Sequence, residues 1–531
     1  MKIKTQYNAG NSVRLALILA LNFISNSHGQ DNFAQFELER EDNWSPLISE
    51  DLNGDRLKDL IYSSYSDAAG RELYIHYQQS DGTFQTTPER IEIKREIIGI
   101  GFAELRATPG MELVLYATTG VFGLSPSIEG YSDNLRPLVQ WDLVANIPDK
   151  KTVEFLPPLN DIDGDNKIDM LIPGLEGYGL FSSTSIDLDK NSFVLKDIIN
   201  PVNDNLISAR RNNRGAELDG RLSINAREGI VVDVAVEKSH PFDNFLTTWP
   251  RTISTDGLPK ENKPLLENES WIPNIIIGNF DNSVGNELAY VNLDDEARPQ
   301  LNLRLIQKQK SIEHFHWVGS LPDGGDSTFV DLDLDGLLDM IFLQGGGNSW
   351  EAKLYRNRGG GFDFKNPDQV MRFSGYDVRL NVFPTPVGDP ALNVSYYTIP
   401  VVEAIRNASV TRVNLIYKNN AGDDLLLFER KPISRQEENF GVENIRGLAE
   451  QLTLAYDVDG DGKNDAAYIT ENGTLAAKKV QSDLSIAREP FWEYILPKTV
   501  FEFKVLMLND DDVPDLILRH GTSTTVLVSR P

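Results

Sequence analysis

The sequence contains no cysteine at any of its 531 positions. This absence excludes disulfide bonds, zinc sites built on thiolates, iron–sulfur clusters, thiol catalysis and lipid anchors attached through cysteine. After the N-terminal segment, the chain also lacks any apolar run approaching the ~18 residues of a membrane-spanning helix. We therefore expect a fold that is held together without disulfides and that does not insert into a membrane.

Positive charge is scarce as well, because 51 Lys and Arg residues face 79 Asp and Glu residues, for a net charge of −28. A field of this sign repels phosphate backbones and anionic lipid, and it attracts cations. Nucleic acid is therefore not an expected partner. Hydrophobic residues at 40% and charged residues at 24% are typical of a folded chain. The length fits roughly three or four ordinary domains or one large closed array.

The N-terminus has the pattern of a secretory signal peptide. Residues 1–14 carry three basic residues and no acid, residues 15–24 are mostly apolar, and residues 25–29 are small or polar. This order predicts cleavage after Gly29, and the apolar run is about half the length that a bilayer requires. We expect residues 30–531 to be exported to the periplasm, the cell envelope or the medium.

One acidic motif, D-x-[DN]-x-D-x-x-x-D, occurs four times, and an apolar segment that reads as a β-strand follows each copy. Oxygens at positions 1, 3, 5 and 9, together with the backbone carbonyl at position 7, can surround one hard cation. The expected ligands are Asp51, Asn53, Asp55, Leu57, Asp59, Asp161, Asp163, Asp165, Lys167, Asp169, Asp331, Asp333, Asp335, Leu337, Asp339, Asp457, Asp459, Asp461, Lys463 and Asp465.

The chemistry of this motif favours calcium, which takes about six to eight oxygen ligands and tolerates irregular geometry. An EF-hand is excluded, because position 12 holds an apolar or aromatic residue in every copy instead of a glutamate. We predict about four structural calcium sites, one for each full copy. The aspartate at position 9 is expected to close each loop and to begin the next strand.

Three weaker copies begin at residues 104, 279 and 507, and whether these bind metal or are only acidic turns stays open. The first has lost most of its acids and carries Arg106 at the third position. In the other two, the candidate metal ligands are Asn279, Asp281, Ser283, Glu287, Asn509, Asp511 and Asp515. The gaps from 161 to 279 and from 331 to 457 are about twice the usual spacing, so they contain either long insertions or repeats without the motif.

The motif followed by a strand resembles the FG-GAP or VCBS-type repeat of integrin-like β-propellers, in their secreted bacterial form. Residues 354–362 (LYRNRGGGF) are similar to the hairpin that follows the calcium loop in that family, and residues 73–84 are a looser copy. The resemblance implies an all-β propeller over residues 30–531 with four-stranded antiparallel blades. We expect seven blades, with eight as the alternative, and long insertions near 200–270 and 376–412.

After Asp515 the sequence offers only two further strands, whereas residues 33–38 alternate in a strand-like way. We therefore predict that the N-terminal strand completes the last blade and closes the ring, which would also explain how an exported protein does without disulfides.

The sequence has no G-x-S-x-G, H-E-x-x-H or P-loop motif that would support a standard hydrolase, zincin or nucleotide-binding reading. We therefore expect a monomeric calcium-binding scaffold that recognises or adheres to an extracellular protein or glycan, and whether it is also an enzyme stays open. The alternative is a polysaccharide lyase on the same fold, in which arginine neutralises a uronate and tyrosine or histidine abstracts the proton. Under either hypothesis the candidate ligand-binding residues are Arg210, Arg211, Arg214, His240 and Tyr396.

Overall fold

The structure is a computed structural model of the 531-residue chain. It describes residues 33–530 except 41–45, 108, 118, 142, 144–150, 152, 157, 175–176, 185–191, 200–219, 226–228, 235–274, 282–283, 294–298, 308–309, 319–325, 360, 386–389, 400–408, 421–425, 442–452, 460, 462, 471–473, 496–497 and 512. Only the strand backbone is described for 173–174, 177, 199, 220–225, 229–234, 275–276, 290–293, 299–307, 310–318, 326–327, 384, 409, 440–441 and 453–456. The predicted signal peptide lies outside the described residues.

All regular structure in the described residues is β-structure, and no segment among them forms a helix that could cross a membrane. The strands form eight sheets of three to five strands and one two-stranded ribbon. Each sheet is antiparallel, apart from one short parallel pairing between β10 (Glu154–Phe155) and β6 (Ile97–Ala103). An all-β fold of mostly four-stranded sheets is therefore confirmed.

The first four sheets and the ribbon take their strands from the first 318 residues. Sheet I contains β2 (Ile48–Glu50), β3 (Asp59–Ser66), β4 (Gly70–His76) and β5 (Glu89–Ile93). Sheet II contains β6 (Ile97–Ala103), β7 (Glu112–Ala117), β8 (Gly120–Leu124), β9 (Arg136–Gln140) and β10 (Glu154–Phe155). Sheet III contains β11 (Asp169–Gly174), β12 (Gly177–Ser183) and β13 (Phe193–Ile199). The ribbon is β14 (Gly220–Asn225) and β15 (Gly229–Val234), and sheet IV is β16 (Ile275–Gly278), β17 (Glu287–Leu293), β18 (Pro299–Gln307) and β19 (Lys310–Val318).

The remaining four sheets each contain four strands. Sheet V is β20 (Asp326–Val330), β21 (Asp339–Gly346), β22 (Ser349–Tyr355) and β23 (Gln369–Phe373). Sheet VI is β24 (Tyr376–Pro384), β25 (Pro390–Thr398), β26 (Ser409–Lys418) and β27 (Ser434–Gly441). Sheet VII is β28 (Thr453–Tyr456), β29 (Asp465–Ile469), β30 (Leu475–Lys478) and β31 (Trp492–Tyr494). Sheet VIII is β32 (Glu502–Leu506), β33 (Asp515–Arg519), β34 (Ser523–Ser529) and β1 (Phe33–Glu39).

The core lies between consecutive sheets, and several strands in the middle of a sheet are buried along their whole length. Every residue of β7, β29 and β34 is buried, whereas β23 alternates between buried and exposed residues. Buried apolar clusters join sheets I and II, II and III, IV and V, V and VI, VI and VII, VII and VIII, and VIII and I. At each of these seven junctions two sheets pack against each other, which is why the fully buried strands read as continuous apolar runs.

The N-terminal strand pairs with the C-terminal strand, as predicted. β1 runs antiparallel to β34 from Phe33 opposite Ser529 to Glu39 opposite Ser523, and it completes sheet VIII. The ring of Phe33 packs edge-on against Trp492 of sheet VII, with ring centres 6.4 Å apart. β1 therefore belongs to one sheet and also contacts the sheet before it.

The two long gaps between motif copies differ in content. Residues 376–412, which we predicted to be an irregular insertion, contain β24, β25 and the start of β26, so that prediction was wrong. Pro384 ends β24 and Pro390 begins β25, and strand ends tolerate proline because no ladder hydrogen bond is lost there. Sheet VI is thus a repeat without the motif. The described part of 200–270 is only the ribbon β14–β15.

One buried polar cluster interrupts the apolar core between sheets VI and VII. The guanidinium of Arg412 is fully buried, and its Nη2 lies 2.5 Å from Oε2 of Glu438. Lys478 Nζ lies 3.1 Å from the other oxygen of the same carboxylate. Both cations also lie near the ring of Tyr468, at 5.9 and 4.7 Å from its centre. One carboxylate therefore contacts two cations from neighbouring sheets.

Candidate metal-binding loops

Every copy of the acidic motif lies immediately before a strand, and the acid at position 9 is the first residue of that strand. The strands are β3, β7, β11, β17, β21, β29 and β33. In six of the seven loops a carboxylate oxygen at position 9 accepts the N–H of position 2, at 2.5–3.0 Å. This bond closes the loop on itself and places the acid in the protein interior, which explains the fixed spacing of the motif.

The 331–339 loop, before β21, gives the clearest cation site. One carboxylate oxygen from each of three residues lies within 4.8 Å of the other two, namely Asp331, Asp333 and Asp339. Asp339 is fully buried, and its two oxygens accept the N–H of Leu332 at 2.8 Å and of Asn357 at 2.6 Å. Backbone hydrogen bonds thus fix the position of Asp339 within the cluster.

A calcium ion fits this loop by the chemistry of its donors. Asp333 Oδ1 is buried and has no hydrogen-bond partner. A buried carboxylate oxygen without a donor is costly unless a cation or a hydrogen bond compensates it. Arg356 lies nearby, with Nε 3.2 Å from Asp333 Oδ2, so one cation already touches the edge of the cluster.

Burial raises the pKa of several position-9 acids. The pKa rises to about 7 for Asp59 and Asp339, and to about 6 for Asp465. Burial also raises the pKa of Asp169 and Asp515 above the ordinary range of an aspartate. The cause is loss of water around the charged form, to which neighbouring acids of the same loop add repulsion. Ionising these groups therefore costs more than ionising an exposed aspartate, and a bound cation would offset that cost.

The 161–169 loop forms the same type of cluster, but two lysine side chains contact its acids. Asp161, Asp163 and Asp169 bring one oxygen each within 4.8 Å of one another. Lys196 Nζ lies 2.5 Å from Asp163 Oδ2, and Lys167 Nζ lies 2.7 Å from Asp165 Oδ2. Two ammonium groups therefore balance part of the negative charge of this loop.

The 457–465 loop also gathers three acids within 4.8 Å, from Asp457, Asp459 and Asp465. Lys479 Nζ contacts two of these acids and also Asp461. It is 2.6 Å from Asp459 Oδ2, 3.0 Å from Asp461 Oδ2 and 3.3 Å from Asp465 Oδ1. A single ammonium group thus contacts three carboxylates of one loop.

The 51–59 loop has one acid fewer than the other full copies, because Asn53 occupies position 3. Asp51 accepts the N–H of Gly54 at 2.6 Å and of Arg56 at 2.8 Å. The amide of Asn53 donates to Asp55 at 3.1 Å. In all four full copies the residue at position 7 donates its N–H to the aspartate at position 5, at 2.8–3.0 Å: Leu57, Lys167, Leu337 and Lys463.

Among the weaker copies, the 104–112 loop carries its own cation. Arg106 Nε lies 3.4 Å from Glu112 Oε1, and Arg106 Nη1 donates to Asn134 Oδ1 at 2.9 Å. Both residues of the ion pair are almost fully buried, so the guanidinium takes the place that a metal would have in a full copy. This loop is therefore neutralised from within.

The other two weak copies keep part of the motif geometry. In the 507–515 loop the amide of Asn509 donates to Asp511 at 3.0 Å, and Ser529 Oγ donates to the same carboxylate at 2.9 Å. In the 279–287 loop Asn279 Oδ1 is buried and has no hydrogen-bond partner, and Asp281 is buried nearby in the chain. Ser283 lies outside the described residues.

Neighbouring loops are linked to one another by backbone hydrogen bonds. The N–H at position 8 of one loop donates to a carbonyl at position 1 or 2 of another loop, at 2.7–2.8 Å. The four bonds run from Lys58 to Leu508, from Met111 to Asp51, from Asn286 to Ile162 and from Leu338 to Asn279. These bonds join the loops in the order 507, 51, 104 and in the order 161, 279, 331. The loops before β11 and β17 are therefore adjacent, although 118 residues separate their starts.

Sequence reasoning missed the residues that contact the acid clusters from outside the motif. Asn357, which is fully buried, donates through Nδ2 to Phe280 O at 2.7 Å and so ties the 331–339 loop to the 279–287 loop. Lys479 and Arg356 each follow directly after the third strand of their sheet, at the variable position of the L-Y-x-N hairpin signature. Their shared position in the hairpin signature was the feature of the sequence that could have identified them. Lys196 comes from the outer strand β13, and no motif spacing points to it.

Of the candidate ligand-binding residues, Arg210, Arg211, Arg214 and His240 lie outside the described residues. Tyr396 lies on β25 and is buried in the apolar cluster between sheets V and VI. Whether these side chains meet in one cleft therefore stays a prediction.

A cavity of about 380 Å³ opens between sheets I and II. Aliphatic residues of both sheets form most of its lining, and Tyr131 and Leu135 at its edge are more than two-fifths exposed. Its lining suits an apolar group, and its volume lies within the ~300–1,000 Å³ of ligand pockets.

No protein-family model and no curated protein matches this chain. Among solved structures, BBS1N in a complex with ARL6DN matches with 8% identity and a TM-score of 0.31, covering 93% of this chain and 97% of that chain. The Dos1 propeller matches with 8% identity and a TM-score of 0.36, covering 94% of each chain. At these scores the fold assignment depends on the sheets and their packing.

Replacing Asp339 with alanine should lower the free energy of unfolding by about 3 kcal/mol without metal, because two buried backbone N–H groups lose their acceptor. The loss should be larger in calcium, because the ligand set is also broken. Thermal and denaturant unfolding in calcium and in chelator measures both effects. The exposed Asp363 serves as the control for an alanine substitution, and equal behaviour of the two variants would contradict the role given to Asp339.

Proposed function

We propose that this protein is an exported, calcium-stabilised β-propeller of eight blades that presents a recognition surface and catalyses no reaction. Eight sheets of three to five strands favour the eight-bladed alternative over the seven expected. Seven apolar clusters and the backbone bond from Asn286 to Ile162 connect each sheet to the next in sequence. The connection from sheet VIII to sheet I, including the bond from Lys58 to Leu508, supports a closed ring.

The observation that carries the metal part of the proposal is the 331–339 loop. Three acids converge within 4.8 Å, and the buried Oδ1 of Asp333 has no donor. When bound, calcium would neutralise these acids and connect the loop to the start of β21. The residues that would hold it are the side chains of Asp331, Asp333 and Asp339. Because neighbouring loops are hydrogen-bonded, an ion in one loop would also restrain the next.

The recognition part of the proposal rests on the scaffold and its charge. Loops on a rigid scaffold are frequent sites of binding, and a long segment of the sequence lies between β13 and β16 of this scaffold. A net charge of −28 disfavours polyanionic partners such as uronate polymers and favours neutral or basic ones. The apolar cavity between sheets I and II adds a place for an apolar side chain of a protein partner. Export follows from the pattern of residues 1–29.

The metal part is tested by counting bound calcium and by measuring thermal unfolding in calcium and in EGTA. Each ion present at 100 times its dissociation constant should add ~2.7 kcal/mol if it binds the folded state alone. We expect at least one ion per chain and a higher midpoint in calcium. Absence of both bound ions and a shift would refute calcium as a structural element.

Recognition is tested on panels of neutral, uronate-containing and sulfated polysaccharides, with retention and product release measured on the same samples. We expect retention on neutral glycans, or on none of the panels if the partner is a protein. Release of unsaturated products would overturn the proposal in favour of the lyase alternative, and the Arg210 and His240 variants would then be the first to examine.

A further inference from the structure

The ammonium group of Lys479 contacts the acid cluster of the 457–465 loop. It lies within 3.3 Å of carboxylate oxygens from Asp459, Asp461 and Asp465. Its side chain is about one-third exposed and also lies over the ring of Phe491, 4.4 Å from the ring centre. The aromatic ring and the three acids thus all contact the ammonium group.

The corresponding position in two other sheets shows that this contact is particular to one loop. The residue directly after the third strand is Tyr77 in sheet I and Arg356 in sheet V. Tyr77 donates to Glu89, outside the acidic loop, at 2.8 Å. Arg356 touches one acid of its loop, Asp333, whereas Lys479 touches three. The residue after the third strand is thus neutral in sheet I, a cation that touches one acid in sheet V, and a cation that touches three acids in sheet VII.

The chain already uses a side-chain cation in place of a metal elsewhere. In the 104–112 loop Arg106 pairs with the position-9 acid Glu112 in an almost fully buried contact. In the 161–169 loop Lys196 lies 2.5 Å from Asp163. The 104–112 loop thus has its cation within the motif. In the 161–169 and 457–465 loops the cation comes from a residue outside the motif.

We propose that Lys479 is a tethered competitor of calcium, which fills the cation position of the 457–465 loop and makes it a weaker metal site than the 331–339 loop. The inference rests on the proposed calcium binding and specifies which of its sites are occupied. Calcium can bind the 457–465 loop only by displacing an ammonium group that is held at the site by the chain itself. The same ammonium group keeps this loop closed when metal is absent, since it balances acids that would otherwise repel one another.

The test compares Lys479→Met with Lys463→Met in the purified protein. Lys463 is exposed and belongs to the same loop, so its substitution removes the same charge without removing the three contacts. We expect Lys479→Met to bind one more calcium ion per chain than the wild type at a limiting calcium concentration, or to bind it at least tenfold more tightly. Adding Asp465→Asn to Lys479→Met should abolish the gain, which assigns the ion to this loop.

Thermal unfolding gives a second readout, because the effect of Lys479→Met on the unfolding midpoint should differ between EGTA and calcium. In EGTA, Lys479→Met should melt below the wild type and below Lys463→Met, because the acids lose their cation. In calcium the deficit should shrink or reverse. An unchanged ion count together with an unchanged midpoint in EGTA would overturn the inference. If no variant binds calcium but Lys479→Met still melts lower in EGTA, the proposed calcium function fails while the contact of Lys479 with its acids stands.

Discussion

Replacing Glu438 with alanine is expected to lower the free energy of unfolding by about 3–5 kcal/mol, as when one partner of a buried ion pair is removed. Glu438 contacts both Arg412 and Lys478, and Arg412 is fully buried. Without it, two cations from sheets VI and VII would face each other beside Tyr468 in a region shielded from water. The interface between the two sheets should therefore be the first to open.

The matched control is the next residue toward the N-terminus on the same strand. Glu437 pairs with Arg435 at 2.6 Å, but both side chains are about half exposed. Its replacement by alanine should cost about 0–1 kcal/mol, as for other surface ion pairs. Denaturant unfolding of the two variants, measured at the same pH and calcium concentration, compares them directly. A Glu438 variant as stable as the Glu437 variant would show that the buried cluster contributes nothing to stability.

Without metal, the protein is expected to become less stable as the pH rises from about 4 to about 8. Burial raises the folded-state pKa of Asp59 and Asp339 to about 7 and that of Asp465 to about 6. A group with a raised folded pKa contributes its full stability below the unfolded pKa, near 4 for aspartate, and loses it as the pH passes the folded value. Each such group contributes a slope of up to about 1.4 kcal/mol per pH unit across this window.

The measurement is the unfolding midpoint in EGTA as a function of pH, repeated in calcium. Asp339→Asn should flatten the fall in EGTA, because one titrating group is removed. Asp363→Asn should not, because hydrogen bonds from Asn366 and Lys365 lower the pKa of that exposed acid. Calcium should remove most of the fall, since it binds the ionised carboxylates. A midpoint in EGTA that rises steadily from pH 4 to pH 8 would contradict the assignment of these acids.

The loops and the termini could be predicted because local chemistry fixes them. The acid at position 9 begins a strand in every copy, since its carboxylate must reach the N–H of position 2 while the chain turns into the sheet. The pairing of β1 was predictable because the chain from Asp515 onward offers only two strands, β33 and β34. Without a strand from elsewhere in the sequence, the outer edge of β34 would stay exposed.

The rest depended on contacts that the sequence does not place. Residues 376–412 were misjudged because the prolines and asparagines of this segment were given more weight than the alternating apolar residues of β25. Lys196 reaches the 161–169 loop from a strand whose pairing with β12 shifts register between Leu180 and Phe181, and no spacing rule includes such a bulge. The cluster around Glu438 joins side chains from two sheets, and only their packing brings them together.

The pairing of β1 with β34 also bears on the order in which the chain can fold. Thr525 Oγ1 donates to Glu37 across 488 residues of sequence, whereas sheets III to VII each draw their strands from one continuous stretch. Until residues 523–529 have been made, β1 has no partner within its sheet, and both β1 and β33 present open edges. Contacts of such long sequence separation form slowly because loop closure precedes them. A nascent chain that stalls near its C-terminus is therefore most exposed to edge-to-edge aggregation at this sheet.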